Sequence, residues 1–339
     1  MKTPKTFQNI LVIRTDRIGD VVLTTPAIKA IRQSLPGSRI SVLVTPATFD
    51  LVNGNPYVDE ILLDERQGRH KGLFGFFRLV REIHLKRFDL VIIFHTKKRY
   101  NLACYAARIP WRLGYKNEKF GFLLSLPLKD TRPSGEKHEA EYCMDALKAI
   151  GIENTDLDLF VPTQKEAEAW AVNWMQENNL SSNGFIAVHP GSSDPAKCWP
   201  AADFALLIDR LIELYGLKII LIGSAQTAAL AALIQQKTRR SSEVLNLTGK
   251  TSVAQMASLL RRARLLISND SGPVHVAAGV GIGVISLFMR DQPGINKERW
   301  KPLGPKSFVL VNVPAPISVE NVLEITGKII QANSQYEIF

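Results

Sequence analysis

Short β-rich apolar runs alternate with longer helical patterns down the chain, and past the midpoint the alternation starts over. Such alternation restricts the fold to parallel α/β architecture, because parallel strands need a crossover between them, usually a helix. In the first half, strands are expected at 9–13, 40–44 and 90–94, with a weaker one near Leu113. Helices are expected over 21–33, 73–84, 102–107 and 139–150. The second series has strands at 185–188, 218–222, 244–247, 265–268 and 284–288, with helices over 201–214, 228–237, 253–261 and 274–278. Residues 156–162 end the first series, and a helix over 165–177 leads into the polar turn 178–184. At 339 residues the chain exceeds a usual single core. The expected division is an N-terminal Rossmann-like domain, 1–165, and a C-terminal one, 166–339, whose final helix can pack back on the first. Ligands of such folds lie in the crevice at the C-terminal ends of the strands.

The net charge of +10 favours polyanionic partners: nucleic acid, an anionic membrane or phosphorylated substrates. The three cysteines, Cys104, Cys143 and Cys198, have neither metal-ligand nor redox spacing and read as reduced cytosolic thiols. Residues 10–13 mimic the start of a signal peptide, but Arg14, Asp16 and Arg17 break the apolar run. No run approaches the ~20 apolar residues of a membrane helix. The expectation is a cytoplasmic protein, at most peripheral on the inner face of the cytoplasmic membrane.

Three loops carry chemistry. The first strand runs into Arg14-Thr15-Asp16-Arg17-Ile18-Gly19-Asp20 and a helix, which puts Asp20 at or near an N-cap. Its carboxylate reads either as that cap or as a general base for an acceptor hydroxyl. The second series opens with a strand, then His189-Pro190-Gly191-Ser192-Ser193 and Lys197-Cys198-Trp199-Pro200. Small hydroxyl residues beside a glycine let N–H groups approach a phosphate, and Lys197 supplies a point charge; a solvated loop is the plainer reading. The spacing is not that of a Walker motif. Finally, Ser268-Asn269-Asp270-Ser271-Gly272-Pro273-Val274-His275 follows an apolar strand and starts a helix. A helix N-terminus suits a diphosphate, with Ser271 and Gly272 donating. Asp270 would repel phosphate, so it is expected to hold Lys197 or a sugar hydroxyl.

In this order and at these separations, the three motifs resemble the bacterial ADP-heptose–lipopolysaccharide heptosyltransferase family, which implies GT-B architecture: two tandem Rossmann-like domains with parallel sheets and an inter-domain cleft. The resemblance covers nearly the whole chain. It implies an inverting transfer of heptose to the lipopolysaccharide inner core, with the nucleotide sugar as substrate and no cofactor. No paired carboxylates or Asp-x-Asp pattern stand where a divalent ion would be needed, so the transfer is expected to be metal-independent. It makes Asp20 the catalytic base and places Lys197, Ser192 and Ser193 on the donor diphosphate. Ser271, Gly272 and His275 would surround the phosphates, with Asp270 reaching the sugar or Lys197. In place of the acidic residue some relatives carry for the ribose, the sequence reads Gly223-Ser224-Ala225-Gln226-Thr227, so Gln226 is the available neutral partner.

Lys97, Lys98 and Arg99 follow a strand end and read as a solvated face or as a site for an anionic, lipid-linked saccharide acceptor. Residues 71–87 mix aromatics with cations, the composition of an interfacial helix on an anionic membrane; a core-packed helix with a basic outer face explains them equally. Two rivals accompany the transferase: a nucleotide-sugar epimerase or hydrolase on the same scaffold, and a basic nucleic-acid-binding protein. Dispersed cations and the lack of an RNA-binding motif count against the latter, so nucleic acid is not an expected partner.

Overall fold

The computed structural model describes residues 6–118 and 120–334, and the chain falls into two compact units, 1–162 and 163–339. The first unit contains β1 (Asn9–Ile13), α1 (Ile18–Val22), α2 (Thr25–Ser34), β2 (Arg39–Val44), β3 (Glu60–Leu63) and α3 (Gly72–Leu85). It continues with β4 (Leu90–Ile93), α4 (Lys98–Ala106), β5 (Trp111–Lys116), β6 (Leu126–Lys129) and α5 (Glu139–Leu147). Its strands form one parallel sheet in the order β3-β2-β1-β4-β5-β6.

The second unit runs α6 (Lys165–Glu177), β7 (Phe185–His189), α7 (Ala201–Tyr215), β8 (Lys218–Leu221), α8 (Ala228–Lys237), β9 (Val244–Asn246) and α9 (Val253–Leu260). After these come β10 (Leu265–Asn269), α10 (Gly272–Gly279), β11 (Gly283–Phe288), α11 (Lys297–Trp300), β12 (Ser307–Val311) and α12 (Val319–Ser334). Its parallel sheet has the order β12-β11-β10-β7-β8-β9.

Both sheets obey the same logic. The central strands β1, β4, β7 and β10 are buried almost throughout, which is why they read as continuous apolar runs. In each sheet the chain builds outward for three strands, then crosses back to lay the fourth beside the first. The switch points are therefore β1/β4 and β7/β10, where the loops leaving adjacent strands diverge and open a crevice at the C-terminal edge.

The expected helix over 21–33 is two helices. Pro26 has no N–H to continue the ladder, and hydroxyls take over at the break: Thr25 Oγ1 donates to Val22 O at 2.7 Å, and Thr24 Oγ1 to Asp20 O at 2.8 Å. Strands β3, β6 and β12 were not expected from the apolar pattern. All three are sheet edges without a fully buried residue. The final helix packs on α7, β11 and β12 of its own unit, burying Val322 and Ile329. Among the described residues no helix is long and apolar enough to cross a membrane.

Candidate active site

In the second unit the motif residues converge at the β7/β10 switch point. Asn269, fully buried at the end of β10, staples the loops together: its Oδ1 accepts from the Trp199 N–H at 2.9 Å and its Nδ2 donates to Pro190 O at 2.6 Å. Trp199 is anchored in turn by its indole N–H, which donates to Ile317 O at 3.1 Å. With its flanks fixed, Lys197 extends its ammonium to Asp270 Oδ2 at 2.7 Å. This is one of the two roles expected for Asp270.

Behind the pair, His189 Nδ1 lies 3.1 Å from Ser268 Oγ and 3.0 Å from Ser271 Oγ. Both hydroxyls also donate to Asn269 O, at 2.7 and 3.0 Å, which leaves Nδ1–H as the natural donor to their oxygens. Burial pushes the His189 pKa down to about 4, so the ring is neutral. Because Ser271 turns its hydroxyl inward rather than capping α10, the Gly272 N–H at the helix start has no acceptor among the described residues. An eight-residue helix thus presents a free N–H and the positive end of its dipole beside Lys197.

Gly191 is required by close approach. A Cβ there would lie 2.4 Å from Thr227 Cγ2, so only glycine lets the loop after β7 pass the turn after β8. Ser193 is exposed, Ser192 half-buried, and Gln226 exposed on that same turn. His275, expected near the phosphates, is 3% exposed within α10. Sequence reasoning passed over Asn269 and also the ion pair of Arg290 Nη1 with Asp194 Oδ2 at 2.9 Å.

The first unit places a charge network at the β1/β4 switch point. Arg14 is its hub, though only 2% exposed. Its guanidinium donates to Phe94 O at 2.7 Å, to Glu139 Oε1 at 2.8 Å and to Asp20 Oδ1, with Asp16 3.4 Å away. Burial alone would lower the Arg14 pKa, but Asp20 and Glu139 outweigh it and raise it well above its ordinary value. Asp20 is not the N-cap. It is the third residue of α1, where its Oδ2 accepts from the Arg17 N–H at 3.2 Å. Its side chain stays 15% exposed, so the carboxylate is reachable from solvent. Arg132 stacks over Tyr115 at 3.6 Å and also donates to Phe94 O, at 2.9 Å. Arg14, Arg132 and Glu139 were missed as a set; a charged residue ending an otherwise buried strand was the available signal.

The three expected acceptor cations have different fates. Lys97 pairs with Asp16 and donates to Thr15 O at 2.9 Å. Arg99 turns inward to Asp64, with bonds of 3.0 and 3.1 Å to a carboxylate that has no exposure. Lys98 alone is exposed. Neighbouring His95 is buried, its pKa pushed down to about 3, and its Nε2 lies 3.1 Å from Thr15 Oγ1. Among the described residues no group of three or more His, Cys, Asp or Glu side chains is arranged to hold a metal ion. A cavity of about 370 Å³ lined by Tyr105, Arg108, Ile109 and Arg112 opens where α4 leads into β5, at the opposite edge from these motifs.

Comparison with known proteins gives the family and the fold. Residues 76–321 match the model of glycosyltransferase family 9 (heptosyltransferase). The chain is 28% identical to lipooligosaccharide heptosyltransferase 2 of Haemophilus ducreyi over 80% of each chain. It is 25% identical to lipopolysaccharide heptosyltransferase 3 of Escherichia coli, over 80% of this chain and 79% of that one. Its fold is similar to a family 9 glycosyltransferase of Veillonella parvula, with a TM-score of 0.86 at 23% identity over 97% and 99% of the chains. The E. coli heptosyltransferase WaaC, solved with ADP, gives a TM-score of 0.73 at 16% identity over 95% and 100%. The same enzyme, solved with ADP-2-deoxy-2-fluoro heptose, gives 0.71 at 17% over 95% and 99%. The chain belongs to glycosyltransferase family 9, and its architecture is GT-B.

Proposed function

We propose that this family 9 glycosyltransferase moves a heptose from ADP-heptose onto the inner core of a lipopolysaccharide, with inversion and without a metal ion. The observation that carries the reading is the Lys197–Asp270 pair beside the unbonded Gly272 N–H at the start of α10. A cation and a helix N-terminus at one switch point form a site for a diphosphate. The relatives' names and the ADP-bound neighbours support the choice of donor.

The roles divide between the units. Asp20 takes the proton of an acceptor hydroxyl as that oxygen bonds to the anomeric carbon. The bond from this carbon to the diphosphate oxygen breaks with its electron pair, and ADP departs. Lys197 and the Gly272 N–H balance the charge that develops on the leaving oxygen, the electrostatic task a divalent ion performs elsewhere. Ser192, Ser193 and Ser271 complete the phosphate contacts, His275 backs them from within α10, and Gln226 offers a neutral partner to the ribose. Lys98, with Lys97 behind it, meets the anionic acceptor on the cytoplasmic side.

The test is calorimetric titration with ADP-, UDP- and GDP-sugars, followed by turnover with purified lipopolysaccharide-core acceptors in EDTA. Tight binding restricted to ADP-heptose, inverted product and undiminished rate in EDTA are expected. Donor consumption that ignores the acceptor would establish a hydrolase or epimerase instead.

A further inference from the structure

Helix α3 has two apolar faces. Gly75, Leu79 and Ile83, spaced by four, are buried, and Leu79 and Ile83 join the core of the first unit. On the opposite side Phe74, Phe77, Arg78, Arg81 and Leu85 recur at helical spacing and form one outward stripe, flanked by Leu73. Leu73 is 68% exposed, Phe74 91%, Phe77 58% and Leu85 62%. Scattered exposed apolar residues are ordinary, but two phenylalanines and two leucines along one helix face are not.

This surface is held in place. A Cβ on Gly75 would lie 2.2 Å from the His70 carbonyl carbon, so the first turn of α3 sits directly on the preceding loop. That loop is fixed by Arg99, which donates to His70 O at 3.0 Å and lies 5.4 Å over the Phe76 ring. Buried His70 accepts from the Glu65 N–H at 3.2 Å.

The charge around the stripe selects its occupant. Between 69 and 87 the cations are Arg69, Lys71, Arg78, Arg81, Lys86 and Arg87, while Glu82 is the sole acid. Glu82 is turned back toward Arg69 and His70, at 3.5 and 3.2 Å, and Lys86 pairs with Glu60 and Arg69 with Glu65, so the positive sign of the outer face rests on exposed Lys71, Arg78, Arg81 and Arg87. A second copy of the chain would set these cations against one another, and a neutral surface would leave them unmatched. We propose that the outer face of α3 docks on an anionic lipid bilayer, the phenylalanines and leucines entering the acyl boundary while the flanking cations meet the headgroups. The first turn of α3 leaves the C-terminal edge of the same sheet that carries Asp20 and Lys98, so docking brings that edge to a lipid-borne acceptor.

The test is flotation of the full chain with vesicles of phosphatidylglycerol in phosphatidylcholine, against phosphatidylcholine alone. The wild type should bind the anionic vesicles and release at high salt. The double variants Phe74→Gln/Phe77→Gln and Arg78→Gln/Arg81→Gln should each bind at least roughly tenfold more weakly. Melting temperature and ADP affinity should not move, which separates this proposal from the assignment of donor and acceptor. Wild-type binding by the phenylalanine variant, or equal wild-type binding to neutral vesicles, would overturn it. So would a wild-type dimer that ignores vesicles and dissociates in the phenylalanine variant.

Discussion

Lys197 Nζ donates to Asp270 Oδ2 at 2.7 Å, which ties the loop leaving β7 to the loop leaving β10 with a single charge pair. Asp270 thereby compensates the lysine charge and holds its ammonium to a carboxylate two residues before the start of α10. Lys197→Ala removes the cation and leaves a carboxylate beside the proposed phosphate site, so ADP affinity should fall by more than about tenfold. The pair is only 19% and 10% exposed, so a largely buried carboxylate left without its cation should cost about 2–3 kcal/mol of stability, and affinity is compared where the variant is fully folded. The double variant Lys197→Ala/Asp270→Ala should recover part of the affinity. Calorimetry with ADP on both proteins decides this, and unchanged binding in the single variant removes Lys197 from the site.

A pH dependence follows from His189. Its folded pKa is about 4, against ~6.5 for an unfolded histidine. Between these values the unfolded chain binds a proton that the folded chain refuses, so stability rises with pH across this window. It is complete above about 6.5 and declines as the pH falls toward 4, with about 2 kcal/mol lost by pH 5 from this group. His189→Asn keeps a donor near the Nδ1 position but cannot titrate, and should flatten that part of the slope. Urea unfolding of both proteins at neutral and acidic pH measures it; identical slopes would show that His189 is not the group responsible.

The sequence was most legible where burial is greatest. Strands buried on both faces read as unbroken apolar runs, so β1, β4, β7 and β10 and the loops after them could be placed within a residue. Since those strands frame the switch points, most of the candidate site came with them. Edge strands β3, β6 and β12 were hidden because half-buried residues alternate too weakly to register. Long-range side-chain contacts were hidden for another reason: Arg14 and Glu139 lie 125 residues apart, and no local pattern joins them. Arg99 and Lys98 are adjacent in sequence, yet one is internal and the other solvated, a difference set by the position of Asp64.

That contrast gives a paired prediction. Arg99→Ala deprives fully buried Asp64 of its bidentate partner and should cost about 3 kcal/mol, because a buried carboxylate loses its cation. Lys98→Ala should change stability by less than about 0.5 kcal/mol, as exposed substitutions generally do, and should raise the Michaelis constant for a phosphorylated acceptor. Thermal unfolding and acceptor titration of both variants separate the two. A normal acceptor constant for Lys98→Ala would return that lysine to an ordinary solvated position.

Asp20 carries the proposed mechanism, and its surroundings make the test sharper. One carboxylate oxygen accepts from Arg14 and the other from the Arg17 N–H at 3.2 Å. An asparagine can satisfy only one of these donors, since its amide group donates in turn. Asp20→Asn should therefore cost about 1–2 kcal/mol whatever the function of the residue. Stability alone cannot separate a base from a structural acceptor, but turnover can. A general base contributes about 10²–10⁴-fold in rate, a loss that persists under conditions where the variant is fully folded. Glu139→Gln provides the control. It weakens the same Arg14 network through a carboxylate only 1% exposed, yet leaves the proposed proton acceptor intact. The two variants should thus lose comparable stability but differ in rate, Asp20→Asn by at least about a hundredfold and Glu139→Gln by less than about tenfold. Donor affinity should be normal in both, since the proposed nucleotide contacts belong to the second unit. Rates are compared at saturating donor and acceptor, alongside thermal unfolding. If Asp20→Asn turns over as fast as Glu139→Gln, the carboxylate is a brace for Arg14 and the proton leaves by another route.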